Sequence, residues 1–275
     1  MKKTVLVLIA LAFSISSFSQ SWMNSLEMAK KIALASNKLI FVDFTASWCG
    51  PCKKMESDVW SKKDTQLLMS NFVSVQIDID HNKDVARKYN VNSIPNLFIL
   101  DGNGKIIENI KGYKNKSYMD KLFKKYSVNT EFLQQKLISF YKKPSYSSAL
   151  RLASKYQIYS IYLDDELKGK FLNVATKYFD IASKLVKKSK IKNKKMLIQK
   201  IELLKLRRRV IKNKPKKVLN KLKKYKPNTI DKSNKSLFAF LHYVSFKQLG
   251  QDGNAVDWLD NLNEKDKELA KIMLK

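Results

Sequence analysis

The only two cysteines among the 275 residues, Cys49 and Cys52, lie three positions apart in the stretch WCGPC at residues 48–52. The apolar run at residues 39–44 before them predicts a buried strand, and residues 53–60 after them predict a helix. A thiol in the first turn of a helix lies beside unpaired N–H groups and the positive end of the helix dipole, which favour the thiolate. We therefore expect Cys49 to attack disulfides, and the better buried Cys52 to resolve the mixed disulfide that results.

The residues between the cysteines suit a tight loop around the two sulfur atoms. Gly50 is conformationally permissive, and Pro51 at an early helical position loses no needed hydrogen bond. Two alternatives to redox chemistry are a zinc site and a purely structural disulfide. A zinc site needs four ligands, and the chain offers no other cysteine and only His81 and His242. A disulfide that closes so short a loop would constrain the unfolded chain little.

The segment around the cysteines resembles the active-site segment of thioredoxins. The matching residues are VDF at 42–44 and A-x-WCGPCK at 46–53, and VNSIP at 91–95 lies where that family carries a cis-proline opposite the cysteines. The resemblance covers residues 21–126 and implies an α/β thioredoxin fold, in which helices flank a central mixed sheet. Residues 52–60 are also similar to the C-terminal domain of membrane thiol–disulfide interchange proteins, which would imply an inner-membrane electron donor.

The hydrophobic pattern follows the order of elements in that fold. We predict helices over residues 21–35, 49–60, 65–72, 81–89 and 116–126, and strands over residues 39–44, 73–79, 96–100 and 105–110. The first helix is expected to bury one face, formed by Trp22, Leu26, Ala29 and Ile32. The last two strands should form a hairpin around the turn residues DGNG at 101–104.

Asp43 stands between apolar neighbours in the first predicted strand. A buried carboxylate is costly unless it is neutralised, so burial should raise the pKa of Asp43. The resemblance implies a general base that takes the proton of the Cys52 thiol. The family often carries a lysine on the adjacent strand, where this chain has Gln76. The alternative is a solvated acid that faces an edge of the sheet.

The resemblance also implies a groove beside the cysteines in which substrates dock. Pro95 should adopt the cis form, and the backbone of Ile94 should pair with an extended substrate segment, which suits many clients. An isoleucine before this proline, together with the Gly-Pro pair between the cysteines, is typical of reducing members of the family. The expected groove residues are Trp48, Gly50, Pro51, Ile94, Pro95 and Gly112. Trp48 as an ordinary packing residue and Gly112 as a simple turn glycine are the alternatives.

The N-terminal residues predict a secretory signal. Residues 1–3 include two lysines, and residues 5–13 are apolar. Ser17 and Ser19 are small residues at the spacing of a cleavage site. The apolar run is shorter than the roughly 20 residues that a spanning helix needs. We therefore predict that residues 1–19 are removed and that a soluble protein is exported to a bacterial periplasm, where dithiols meet disulfide-bearing clients.

Charge divides the rest of the chain. Residues 20–126 hold 17 Lys and Arg against 11 Asp and Glu, whereas residues 127–275 hold 35 against 13. We predict a thioredoxin-like domain at 20–126 and a basic, all-α domain of helical hairpins at 127–275. Apolar residues at helical spacing predict helices over residues 167–185, 191–210, 216–225, 237–249 and 265–274.

The most basic stretch, residues 187–226, has 19 Lys and Arg against Glu202 alone, a net charge of +18. The simplest interpretation is a solvated helical surface. The alternative is attraction to an anionic partner, such as membrane head groups, envelope polysaccharide or an acidic protein. Nucleic acid is not expected, because an exported chain rarely meets it and no recognition motif accompanies the charge.

The leading hypothesis is an exported thiol–disulfide oxidoreductase that reduces disulfides in envelope proteins through Cys49, Cys52 and Asp43. It needs no metal, and no cofactor beyond the redox-active cysteine pair. Its partners would be disulfide-bearing clients and a membrane or soluble electron donor. Oxidase or isomerase chemistry stays open, because the reduction potential depends on the environment of the sulfur atoms. The competing hypothesis is a binding protein whose basic helical half docks an anionic surface or an acidic partner.

Overall fold

The computed structural model describes residues 22–274, so the predicted signal at residues 1–19 lies outside the described residues. The first part of the chain forms α1 (Leu26–Ser36), β1 (Leu39–Thr45), α2 (Gly50–Met55), α3 (Lys63–Met69), β2 (Phe72–Asp78), α4 (Lys83–Lys88), β3 (Asn96–Leu100), β4 (Ile106–Lys111) and α5 (Lys116–Tyr126). The second part forms α6 (Glu131–Lys142), α7 (Tyr146–Ile161), α8 (Asp165–Lys188), α9 (Lys194–Ile211), α10 (Pro215–Leu222), α11 (Lys235–Gln248), α12 (Asp252–Leu259) and α13 (Glu264–Met273).

The four strands form one mixed sheet in the order β2-β1-β3-β4. β1 runs parallel to β2 and antiparallel to β3, and β3 and β4 form the predicted hairpin. Consecutive residues of β1 are buried, and side chains alternate along a strand, so both faces of β1 are covered. Ile40 and Val42 pack with α1, whereas Leu39 and Phe41 pack with the helices on the opposite face. The predicted α/β fold with a central mixed sheet is confirmed.

The first helix is shorter than predicted. Ser25 caps it, because its hydroxyl oxygen accepts a hydrogen bond from the backbone N–H of Met28 at 3.3 Å. Trp22 precedes the helix in extended chain that runs beside β2. Ile32 is 41% exposed, and Ala33 is buried in its place. The prediction of a buried face is therefore confirmed at Leu26 and Ala29 and wrong at Trp22, which is not helical, and at Ile32.

Two further element boundaries differ from the prediction. The helix expected over residues 49–60 is interrupted, because α2 is followed by a π-helical turn at Glu56–Trp60. This wider turn directs Trp60 into the core, where its ring packs against Phe41 with 5.5 Å between centroids. His81 precedes α4 instead of beginning it, and its side chain is exposed.

The second part is helical throughout, as predicted, and contains three helices that the sequence pattern did not indicate. These are α6, α7 and α12. Successive helices pack against each other from α6 to α9, and α11 packs against α9, α10, α12 and α13. Among residues 22–274, no helix is both long and apolar enough to cross a membrane.

The two parts share one continuous hydrophobic core. Asp101, at the turn of the β3–β4 hairpin, is fully buried between them. Its Oδ2 atom accepts hydrogen bonds from the hydroxyls of Tyr156 on α7 (2.9 Å) and Tyr178 on α8 (2.7 Å). Its Oδ1 atom accepts hydrogen bonds from the backbone N–H groups of Asn103 and Lys105. A carboxylate with four donors is tolerated in the core and ties the hairpin to the helices.

α8 also covers the edge of the sheet. Lys177 donates a hydrogen bond to the backbone carbonyl of Ile106 at 2.7 Å, and Lys170 forms an ion pair with Glu108. Glu108 also accepts a hydrogen bond from the hydroxyl of Tyr126 at 2.6 Å. An exposed edge strand can pair with strands of other chains, and these contacts protect β4 from such pairing.

Replacing Asp101 by Ala should lower the free energy of unfolding by about 3 kcal/mol, because two tyrosine hydroxyls and two backbone N–H groups would lose their buried acceptor. Urea denaturation of the oxidised full chain, followed by circular dichroism, measures the change. Asp257→Ala is the control, since Asp257 is exposed and its side chain has no hydrogen bond or ion pair within residues 22–274. Equal losses for the two variants would refute a stabilising role for the buried carboxylate.

Candidate functional site

The two cysteines form a disulfide at the start of α2. β1 ends at Thr45, and Cys49 is the N-cap residue of α2. The Cys49 sulfur accepts a hydrogen bond from the backbone N–H of Cys52 at 3.2 Å. Reduction of the disulfide would leave the Cys49 sulfur beside this donor and at the positive end of α2, and both features favour a thiolate there.

The expectation that Cys52 is better buried than Cys49 is wrong for this oxidised chain. Cys49 is 3% exposed and Cys52 is 6% exposed. Ala46 forms one buried cluster with the two cysteines, and Ile79 and Ile94 pack against that cluster. The difference between the two cysteines therefore lies in their positions relative to the helix terminus and not in their depth.

Asp43 is buried on the sheet face that α2 covers. It alternates along β1 with Val42 and shares its face with Phe41, which packs against the turn that follows α2. Oδ2 accepts a hydrogen bond from Nε2 of Gln76 at 3.2 Å, and Oδ1 has no donor among residues 22–274. Burial raises the pKa of Asp43 to about 6. The prediction of a raised pKa is confirmed, and the alternative of a solvated edge residue is wrong.

Glu56 links Asp43 to the cysteines, and the sequence analysis missed it. Its backbone N–H donates a hydrogen bond to the carbonyl of Cys52, and the negative charge of its side chain contributes to the raised pKa of Asp43. The pKa of Glu56 is itself raised by partial burial. Asp43 thus lies close to the helical turn that begins at Cys52. The sequence contained a signal for Glu56, because it lies four residues after Cys52 on a predicted helix. Residues four apart share one face of a helix.

The loop that contains Pro95 lies against the disulfide. The Ile94–Pro95 peptide bond is cis, as predicted, and the side chain of Ile94 packs beside both cysteines. The backbone N–H of Gly112 donates a hydrogen bond to the carbonyl of Pro95 at 2.8 Å. Gly112 has a φ of +73°, and no atom lies within 4 Å of the position that a Cβ atom would occupy. The backbone conformation, and not a lack of space, therefore favours glycine there.

Trp48 projects from the surface beside the disulfide. Its side chain is 65% exposed, so the alternative of an ordinary packing residue does not fit. The indole N–H donates a hydrogen bond to Oδ2 of Asp80 at 2.8 Å, which orients the ring. Asp80 was not among the predicted site residues. The available signal was its position after β2, because parallel strands such as β1 and β2 end at the same edge of a sheet. Gly50 and Pro51 are exposed at this edge as well.

The two histidines lie apart from each other. His81 is exposed next to α4, whereas the ring of His242 stacks on Trp258 in the helical part with 3.9 Å between centroids. Burial lowers the pKa of His242. Within residues 22–274, no group of three or more His, Cys, Asp and Glu side chains is arranged to hold a metal ion.

Replacing Asp43 by Asn should stabilise the oxidised protein by about 3 kcal/mol at pH 8, since the ionised carboxylate is costly to bury. The pKa is raised from 3.8 to about 6, so the folded state binds the proton more tightly and stability falls as pH rises across that interval. The difference between variant and parent should therefore vanish near pH 4. Urea denaturation between pH 4 and 8 measures it.

A second substitution checks the cause of this effect. Gln76→Leu removes the hydrogen bond to the ionised carboxylate, so the fall in stability with pH should extend above pH 6. Asp257→Asn, an exposed control that retains Asp43, should keep the pH profile of the parent. A pH profile of Asp43→Asn parallel to that of the parent would show that Asp43 does not titrate in this range.

Comparison with known proteins assigns the family. A family model described as a thioredoxin-like domain matches residues 26–127. Thioredoxin of Bacillus subtilis is 38% identical over 94 residues, which are 34% of this chain and 88% of that protein. Thioredoxin H2 of Arabidopsis thaliana is 42% identical over 92 residues, 34% of this chain but 63% of the plant protein, less than two thirds of its length. The solved thioredoxin NaTrxh of Nicotiana alata is 33% identical, with a TM-score of 0.30, over 36% of this chain and 83% of that chain. The chain belongs to the thioredoxin family of thiol–disulfide oxidoreductases.

Proposed function

We propose that this protein is an exported reductase of disulfides in envelope proteins. The observation that supports it most directly is the Cys49–Cys52 disulfide at the start of α2, the helix that covers the sheet face on which Asp43 is buried. The docking edge comprises Trp48, Gly50, Pro51, Ile94, Pro95 and Gly112. It offers backbone and apolar groups, which suit extended segments of many client proteins.

The cycle begins with the reduced protein. The Cys49 thiolate attacks one sulfur of a client disulfide, the client S–S bond breaks, and the second client sulfur leaves as a thiolate and takes up a proton. Asp43, ionised above a pKa of about 6, then accepts the proton of the Cys52 thiol. The Cys52 thiolate attacks the Cys49 sulfur of the mixed disulfide, so the Cys49–Cys52 bond forms and the bond between Cys49 and the client sulfur breaks. That client sulfur leaves as a thiolate and takes up a proton, and the client is released as a dithiol. Two electrons leave the protein, and a membrane or soluble dithiol donor must return them.

Two features favour reduction over oxidation or isomerisation. The Gly-Pro pair between the cysteines and Ile94 before the cis-proline are typical of reducing members of the family. Export rests on the basic, apolar and small residues at 1–19, which predict a cleaved secretory signal. Within the periplasm, disulfides form and persist, so a reductase would meet substrates there.

The assay is the dithiothreitol-dependent reduction of insulin by the full chain. Cys49→Ser should abolish turnover because no nucleophile remains, whereas Cys52→Ser should accumulate mixed disulfides that survive non-reducing electrophoresis. Asp43→Asn should slow turnover roughly 100-fold at pH 7, because the proton of Cys52 loses its acceptor. Failure of the parent protein to reduce any disulfide, or full activity of Cys49→Ser, would overturn the proposed chemistry.

Export has its own test. The full chain expressed in a Gram-negative bacterium should appear in the periplasmic fraction with Gln20 as its first residue, as mass spectrometry can determine. Leu8→Arg interrupts the apolar run and should leave the chain uncleaved in the cytoplasm. Equal processing of the parent and Leu8→Arg would contradict a signal at residues 1–19 while leaving the redox chemistry untouched.

A second candidate function is the docking of an anionic partner by the helical part. It is favoured by the net charge of +18 over residues 187–226, of which six Lys and Arg side chains line one groove.

A further inference from the structure

A groove of about 460 Å³ lies between α8, α9 and α10, in the most basic part of the chain. Small-molecule sites have volumes of roughly 300–1,000 Å³, so this open groove has room for a small ligand. Thr176 of α8 and Leu206 of α9 form part of its wall. Its cationic side chains are Lys205, Arg208, Arg209, Lys212, Lys214 and Lys217.

The connection between α9 and α10 brings these cations together. Asn213 adopts a left-handed φ of 48°, and the backbone N–H of Lys214 donates a hydrogen bond to the carbonyl of Arg209 at 2.9 Å. Pro215 begins α10 directly after this turn and is buried. The chain therefore reverses between the two helices, and α10 packs against the end of α9. Six cationic side chains from α9, its connection to α10 and α10 therefore line one groove, where a bound anion would reduce their mutual repulsion.

The charge is largely unmatched by acidic groups of the protein. Lys205 forms an ion pair with Asp180 at 2.6 Å. For the other five cations no carboxylate within residues 22–274 lies at ion-pair distance. Burial lowers the pKa of Arg208, and repulsion from Arg209 lowers it further. Unpaired like charges that lie close together raise the free energy of the protein. A ligand that brings negative charge into the groove would lower it.

Arg208 is already oriented for such a ligand. Its Nη1 atom donates a hydrogen bond to the hydroxyl oxygen of Thr176 at 3.1 Å, and its Nη2 atom donates one to Oδ1 of Asn173 at 2.6 Å. Both acceptors are neutral, so they fix the position of the guanidinium group without neutralising it. A planar, fixed guanidinium beside lysine ammonium groups is a typical arrangement for binding phosphate oxygens.

We propose that this groove binds a ligand with two or more clustered phosphate groups, either free in solution or carried on a lipid head group. A carboxylate brings a single negative charge, whereas a phosphate monoester brings about −1.5 to −2 at neutral pH, so clustered phosphates match five unmatched cations best. The groove lies on elements of the helical part and contains no residue of the redox site, so this site is independent of the proposed reductase activity.

The test uses the oxidised full chain and inorganic pyrophosphate, titrated by calorimetry at constant ionic strength up to about 1 mM. The variant Arg209→Gln/Lys214→Gln removes two groove charges whose side chains make no hydrogen bond within residues 22–274. It should weaken pyrophosphate binding at least about tenfold, the loss of roughly 1.4 kcal/mol expected for two charge-assisted contacts.

The control is Lys223→Gln/Lys224→Gln, which removes the same charge from exposed positions of the same segment outside the groove. Its affinity should stay within about twofold of the parent, because charges outside a discrete site are screened. Equal weakening by both pairs would overturn the proposal in favour of diffuse attraction. Circular dichroism verifies that both variants are folded.

Vesicles distinguish the two sources of phosphate. Sedimentation with phosphatidylcholine vesicles that contain phosphatidylinositol 4,5-bisphosphate, whose head group carries clustered phosphates, should retain the parent, and sedimentation with pure phosphatidylcholine should not. If pyrophosphate binds, but the anionic vesicles retain the parent no better than the Arg209→Gln/Lys214→Gln variant, the ligand is a soluble phosphate compound. If the vesicles retain it and pyrophosphate fails to bind, the ligand is a lipid head group. Groove-independent binding, or no binding to either probe, overturns the proposal.

Discussion

The proposed redox cycle depends on the burial of one carboxylate that has a single side-chain donor, Asp43. The chain buries two aspartates, and their surroundings differ. Asp101 accepts four hydrogen bonds and holds the hairpin to the helices, whereas Asp43 accepts one, from Gln76, and its second oxygen has no donor within residues 22–274. A carboxylate with four donors is part of the framework. One with a single donor and a pKa of about 6 can exchange a proton near neutral pH, which proton transfer from Cys52 requires.

The topology keeps the helical part away from the cysteines. β1 and β2 are parallel, so their C-terminal ends, which carry Cys49 and Asp80, meet at one end of the sheet. β3 is antiparallel to β1, so the hairpin turn at Asp101 lies at the opposite end. The helical part attaches there, through the hydroxyls of Tyr156 and Tyr178 and along β4 through α8. The attachment of the helical part through Asp101 thus lies at the end of the sheet opposite the disulfide.

Sequence reasoning was accurate where a local rule determines the structure and failed where the tertiary structure decides. The continuous apolar run of β1 and the DGNG turn were sufficient to predict a central strand and a hairpin. Ile32 was misplaced because Ala33, one position further along, is buried against the sheet. The relative burial of Cys49 and Cys52 depends on side chains from three separate segments, which no local pattern contains. The cationic groove was similarly hidden, because a run of lysines does not show which helix faces oppose each other.

The continuous core gives the two parts of the chain a fixed relation. Because Asp101 and the apolar residues of α6–α8 pack the helical part against the sheet in one core, we expect the groove and the disulfide to keep a fixed relation. Phosphate bound between α9 and α10 would therefore hold the whole molecule in one orientation relative to whatever carries the phosphate. A protein held in this way would have a higher effective concentration of its docking edge near clients that lie close to the bound phosphate. The chemistry of Cys49 would be unchanged. The basic helices and the dithiol can thus serve one function through position alone, with no signal passing between the two sites.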